Sequence, residues 1–304
     1  MFLKTPRAST DQRVRSLLQK ATRRGYPDVV ELALERLNSS GDQAWLRSRT
    51  VVITFEECWP LSAHLSVIRE LSSKRAALLS VTMAAKQKDA AGLGALAYVY
   101  HEGDRSMLDC VPEQYTLRLV AEALKRPREF FEWVLSRSKA ERSTNAILAA
   151  QRYLAVATWQ WDKACILAGA LLAVMEDTLT CAADKPTDEF PYWVALDKHT
   201  PEGKVALADV AKQINAPYRH LIWASFYFES ACVNRLLPSI WWEAERTWRL
   251  GRAGLSLRAA EDLWLRARPI VRQHLEDEAA SLKRFVETPS STYLFPPQEQ
   301  AMRE

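Results

Sequence analysis

Residues 43–59 read QAWLRSRTVVITFEECW, and the reading of this stretch decides the fold. Its centre, TVVITF at 50–55, has the β-branched composition of a strand. Yet the segment runs from Gln43 to Trp59 without a glycine, proline or turn signal, and burial overrides a local preference of this size. We read it as a buried helix, with a short strand as the alternative. The rest of the chain points the same way. Its 304 residues include only nine glycines and long stretches rich in Ala, Leu, Glu and Arg, and no alternating run leads into a hairpin turn. The expectation is an all-α protein, a multi-helix array or bundle. Its helices are placed at about 10–24, 27–38, 43–58, 61–72, 74–88, 113–125, 128–138, 141–158, 160–180, 201–214, 217–236, 239–249, 256–267 and 270–286. Pro27, Pro60, Pro112, Pro127, Pro201 and Pro217 fall at helix starts, where a missing amide costs little.

The longest irregular stretch, 182–200, contains Pro186 and Pro191. A loop of that length inside a compact protein is usually functional or a joint. The expected organisation is an N-terminal helical region over 1–181, the loop 182–200, a C-terminal helical region over 201–286 packed on the first, and a tail over 287–304. The tail's small polar residues and paired prolines suit an extended arm.

The composition, 48% hydrophobic and 26% charged, is that of a chain that buries a real core. The net charge of +4 is too small to prove a polyanionic partner. However, Lys4, Arg7, Arg13, Arg15, Lys20, Arg23 and Arg24 face only Asp11 in the first 24 positions. Such a segment either contacts phosphates or forms a solvated helix face. The five cysteines are widely spaced, without a metal-binding pattern, which fits buried thiols in a reducing cytoplasm. The longest apolar run, ACILAGALLAVM at 164–175, is too short to cross a bilayer. No signal-peptide core precedes Asp11, so the expectation is a cytoplasmic protein with no membrane partner. A phosphate-binding loop, an H-E-x-x-H motif, a D-D-x-x-D cluster and a G-x-S-x-G elbow are all missing, and GLG at 92–94 is too weak a substitute for the first. Neither a metal nor a nucleotide cofactor is expected.

Several carboxylates stand in apolar surroundings. Glu56 and Glu57 follow Val52 and Ile53 by one helical turn, so at least one should be poorly hydrated. That is either a prepared acid or base, or half of a buried ion pair. Glu229, alone among apolar residues from Leu221 to Val233, must have a partner or a proton. Glu176 and Asp177, at the end of the apolar run, are a weaker case. Arg105 and Asp109 make an i, i+4 pair if HEGDRSMLDC is helical.

LDKHTPEGK at 196–204 gathers Asp197, His199 and Lys204 around a helix start in which Thr200 is the cap and Pro201 the first residue. There the helix end could hold an anion beside His199 and Lys204. The chain also has eleven tryptophans. Most suit a core, and Trp59 and Trp193 are candidates for stacking on a nucleobase.

LLQKATRRGYPDVVELALERL at 17–37, followed by RTVVITFEECW at 49–59, resembles the C-terminal helical region of the replication-associated recombination ATPases, related to the collar of clamp loaders. The likeness covers residues 12–110, with DRSMLDC at 104–110 as its next segment. It implies an acidic pair at Glu56 and Glu57; the ATPase motor is absent, so motor activity is not implied. ALDKHTPEGK at 195–204 is similar to stand-alone bacterial and phage relatives of this helical module. A looser likeness links the chain to anti-phage DNA glycosylases that remove modified cytosines, although it lacks a helix-hairpin-helix turn and a G-Q-D-P-Y motif.

Two functions follow as expectations. In the first, the protein is a DNA glycosylase acting on a flipped-out modified base, with phage defence as its setting. Glu56, Glu57, Asp109 or Asp197 would supply the carboxylate, and His199 would protonate the leaving base. Lys20, Arg23, Arg24, Arg105, Thr200 and Lys204 would contact DNA. In the second, it is a non-catalytic DNA-binding or oligomerising module in replication or repair, and the glutamates pair with internal arginines. A homo-oligomer is compatible with either.

Overall fold

The computed structural model describes residues 11–65, 68–175 and 180–288. Glu176, Asp177 and the tail from 289 onward lie outside the described residues. Within them the protein is all α-helical, without a β-sheet. The helices are α1 (Gln12–Arg24), α2 (Pro27–Ser39), α3 (Gln43–Cys58), α4 (Leu71–Met83), α5 (Asp89–His101), α6 (Gln114–Ala123), α7 (Pro127–Arg137), α8 (Glu141–Tyr153) and α9 (Gln160–Met175). They continue with α10 (Pro201–Gln213), α11 (Tyr218–Ser225), α12 (Ile240–Ala253), α13 (Leu257–His274) and α14 (Glu276–Glu287).

The decisive stretch is helix α3. The hydroxyls of Thr50 and Thr54 donate to the carbonyls of Leu46 and Thr50 at 2.7 and 2.9 Å, so their polar atoms are satisfied inside the helix. The branched side chains have apolar neighbours on both sides. Leu46, Ile53 and Cys58 belong to one core with α1, α2, α4, α10, α11, α13 and α14. Val51 and Phe55 belong to a second core built mainly by α5 to α9 and α12. A helix buried on opposite faces is apolar nearly all round, which is why its composition imitates a strand. The loop 182–200 is not the seam between the cores, because each core draws residues from both sides of it.

The largest departure from expectation lies between 59 and 101. Instead of helices at 61–72 and 74–88, a 3-10 turn covers Trp59–His64, α4 begins at Leu71, and residues 84–87 are extended. That extended segment is held by three distant parts of the chain. Ala85 N–H donates to the Cys181 carbonyl, Lys86 N–H to Arg235 and Gln87 N–H to Glu57, while Leu237 N–H donates to Lys86. The buried Lys86 ammonium turns back onto the carbonyls of Val81 and Ala84, both at 2.7 Å, satisfying the end of α4.

Helix α5 was not expected at all. None of its residues is exposed, and its glycines explain how: a Cβ at Gly92 would collide with the backbone of Trp241 in α12, and one at Gly94 with the backbone of Cys165 in α9. The GLG triplet is therefore a close-packing device. Further along, the expected helix at 217–236 ends at Ser225 and passes through a π turn over Phe226–Ser230. Helix α13 runs through Pro269, where a break was expected. No described helix is long and apolar enough to cross a membrane. Of the cysteines, only Cys58 and Cys165 are buried, which corrects the expectation of uniformly buried thiols.

Candidate functional site

Helix α1 carries Gln12, Arg15, Ser16, Gln19, Lys20 and Arg23 at helical spacing, so they share one face. That face is not directed to bulk solvent. It forms one wall of a cavity of about 630 Å3, within the range of about 300–1,000 Å3 usual for small-molecule sites. The opposing walls come from α3 (Trp45, Arg49, Glu56), the turn Asp197–His199, the end of α11 with Trp223, and α12 (Trp242, Glu245, Arg249); Trp159 and Trp161 line it as well. Another hollow, of about 580 Å3 near Leu236, Leu237, Pro238 and Ile240, has Glu243 as its one charged lining residue and holds no comparable chemistry.

Two ion clusters define the cavity electrostatically. Glu57, 1% exposed, sits behind the wall and accepts from Arg23 Nε and, at 3.2 Å, from Lys88. Burial alone would raise its pKa; Arg23 and Lys88 more than offset this and hold it at about 2. Glu56, less enclosed, accepts from Arg23 at 3.0 Å and Arg49 at 3.4 Å, and Arg49 also reaches Asp162 at 3.1 Å. The second cluster surrounds Asp197. Its Oδ2 accepts from Lys20 Nζ at 2.5 Å and its Oδ1 from the His199 backbone N–H at 2.9 Å. Burial opposes ionisation here too, but Lys20 and then His199 bring the carboxyl down to about 2.

The stretch 197–204 is a capped helix start and a cavity wall at once. Thr200 Oγ1 accepts from Gly203 N–H at 3.1 Å and donates to the Asp197 carbonyl. Gly203 lies against that carbonyl so closely that a Cβ would collide with it. The His199 ring is open to solvent through the cavity. Its partial burial lowers the pKa, Asp197 opposes, and Lys20, Lys198 and Arg23 lower it further, to about 4. This shift favours the neutral imidazole near neutral pH.

Glu56, Asp197, His199, Lys20 and Arg23, singled out from separate stretches, meet at this one cavity, with Glu57 directly behind it. The remaining candidates do not. Asp109 is exposed, and Arg105 stacks on Tyr100 with its guanidinium 3.6 Å from the ring centroid; neither lines the cavity. Arg24 is paired with Glu229 at 2.7 Å, which also accepts from Arg268 and Trp264, so Glu229 has its partners in a structural cluster. Thr200 is buried as a cap, and Lys204 is exposed away from the cavity. The stacking candidates are core residues: Trp59 packs in the second core and Trp193 stacks on Trp264 with ring centroids 6.5 Å apart.

Of the aromatic and cationic partners that complete the site, Trp45 and Trp223 have no signal in the sequence, whereas Trp159, Trp161, Trp242 and Arg249 stand in stretches where tryptophans lie close to charged residues. Trp45, Trp159, Trp161, Trp223 and Trp242 line it, with Trp159 72% exposed. Glu245 accepts from the Tyr227 hydroxyl at 2.7 Å and from Arg249 at 3.0 Å. The i, i+4 spacing of Glu245 and Arg249 was the available signal, but nothing in it indicates which way the pair faces. Among the described residues no cluster of His, Cys, Asp and Glu could hold a metal ion. Comparison with protein-family models, curated proteins and solved structures finds no match to this chain.

Proposed function

We propose that the protein is a DNA glycosylase that accepts a flipped-out, modified nucleobase in the cavity between α1, α3, α12 and the turn at 197–199. The observation that carries this reading is the combination of an ionised, enclosed carboxylate, Asp197, with tryptophan walls and a cationic rim in one cavity. Tryptophan faces hold an unstacked base irrespective of its sequence context. Arginines at the cavity suit the phosphates on either side of the extruded nucleotide. As the bond from the base nitrogen to C1′ breaks, its electron pair leaves with the base and positive charge develops on the sugar. Asp197, with a pKa near 2, is a poor proton acceptor but a fixed negative charge, so its role is to stabilise that cation. Water then adds its oxygen to C1′; one of its protons ends on the base and the other on the new hydroxyl. Removal of bases from phage DNA, as a defence, fits the looser sequence likeness noted above.

The alternative, a non-catalytic DNA-binding module like a clamp-loader collar, is favoured by the sealed pairing of Glu57 with Arg23 and Lys88. It gives no reason for the ionised Asp197 at the cavity wall. The deciding experiment incubates the protein with unmodified and hypermodified DNA and measures alkali-sensitive abasic sites together with the released base by mass spectrometry. Base release supports the glycosylase; binding of the same DNAs without release from any of them leaves the module.

A further inference from the structure

Arg15, Lys20, Arg23, Arg49, Lys88 and Arg249 all line the cavity, and each is paired with a carboxylate: Asp42, Asp197, Glu57, Asp162, Glu57 and Glu245 respectively. Lys198 lines the same cavity and is different. Among the described residues no carboxylate lies within ion-pair distance of it. Its Nζ instead rests 4.0 Å from the Trp223 ring centroid and 4.1 Å from that of Phe226. Two aromatic rings shield the nitrogen from water and give it no carboxylate counter-ion, the desolvated setting in which a lysine amine becomes a nucleophile. On the same turn stand an ionised carboxylate, Asp197, and the neutral imidazole of His199, and both line the cavity.

We propose that Lys198 is an amine nucleophile that forms an imine with an aldehyde held in the cavity, the ring-opened C1′ of an abasic deoxyribose. For the source of that aldehyde the inference rests on the base-excision reading, since removing a base leaves this sugar in place. Burial lowers the pKa of Lys198; the adjacent Asp197 opposes, and Arg249 and Lys20 lower it again, to about 8. A useful fraction of the amine is therefore uncharged near neutral pH. The lone pair of neutral Nζ adds to C1′, and the carbonyl π pair moves to oxygen. That oxygen then leaves as water, taking one proton from the nitrogen and one from solvent, and a protonated imine remains. The imine makes the C2′ hydrogen acidic. His199 accepts that proton while the C–O bond to the 3′ phosphate breaks, the phosphate departing with the bonding pair. Hydrolysis of the imine returns the free amine. The added activity is nicking of the strand at the abasic site.

The test uses the full chain and an oligonucleotide carrying a preformed abasic site, with sodium borohydride present to reduce any imine to a stable secondary amine. A covalent protein–DNA band is expected, mapped by peptide mass spectrometry to Lys198, with a yield that rises as pH passes through about 8. Lys198→Arg keeps the charge and the ring contacts but is not a nucleophile, and should trap at least about tenfold less. Circular dichroism and melting establish that this variant is folded; if it is not, the mapped position of the adduct on the unmodified chain decides. Absence of trapping, or an adduct at another amine, overturns the inference. Base release without trapping leaves the glycosylase standing and removes the lyase. Trapping at Lys198 on preformed abasic DNA, with no base released from any DNA, does the reverse.

Discussion

Glu57 and Asp197 have much in common. Both are buried carboxylates, both are held near pKa 2, and both owe this to cations of α1, Arg23 for one and Lys20 for the other. What separates them is what lies in front. Glu57 is sealed between Arg23 and Lys88, while Asp197 fronts a cavity that a ligand can enter. A perturbed carboxylate is thus not by itself a sign of chemistry. The same electrostatics makes a structural pin when sealed and, in the function proposed above, a charge presented to the substrate when it faces a cavity.

The comparison can be broken most sharply at Glu57. Glu57→Gln removes the carboxylate facing buried Lys88 and leaves Arg23 with Glu56 alone; it should cost about 3–5 kcal/mol of stability in chemical denaturation, while the folded fraction keeps its rate of base release. Asp197→Asn should show the opposite pattern. Release should fall by about 100-fold or more, with a smaller loss of stability, because Lys20 already has a lowered pKa and can shed its proton. If Asp197→Asn unfolds the protein and Glu57→Gln leaves it intact, the assignment is inverted. Next in size, Gly203→Ala forces a methyl group against the Asp197 carbonyl; it should cost about 1–3 kcal/mol and slow base release by displacing the turn. Stability should also fall with acid in two stages. His199 is depressed to about 4, so the unfolded chain takes up its proton first and stability declines from about pH 6.5 toward 4. Asp197 and Glu57, both depressed, then lose their contribution as pH falls from about 4 toward 2. Asp197→Asn should flatten the second stage, as read from denaturation midpoints. Lys204→Ala, on the exposed side of α10, should change stability by less than about 0.5 kcal/mol and leave base release as it was.

The helical class was legible because glycine scarcity and helix-start prolines act locally. Helix α5 was not, since DAAGLGALAYVYH is enclosed on all sides and shows no polar face to betray a helical period. The extended run 84–87 was invisible for a related reason. Its hydrogen bonds go to residues near 57, 181 and 235, and no local pattern reports such partners. In the site, Asp197 and Glu56 stood out as carboxylates in unusual company. Lys198 lay between two residues that were singled out and was passed over, because its distinguishing property, that no carboxylate among the described residues lies within ion-pair distance, exists only once the walls have closed around it.

The extended segment 84–87 has a consequence for how the chain can be divided. It is stitched to Glu57 on one side and to Cys181, Arg235 and Leu237 on the other, and the Lys86 ammonium is enclosed at the junction. A fragment ending before residue 200 would leave the amide of Lys86 and its buried charge without the strip of chain that covers them. The molecule is therefore clasped in the middle, and two halves expressed separately should reach full helical circular dichroism only when mixed.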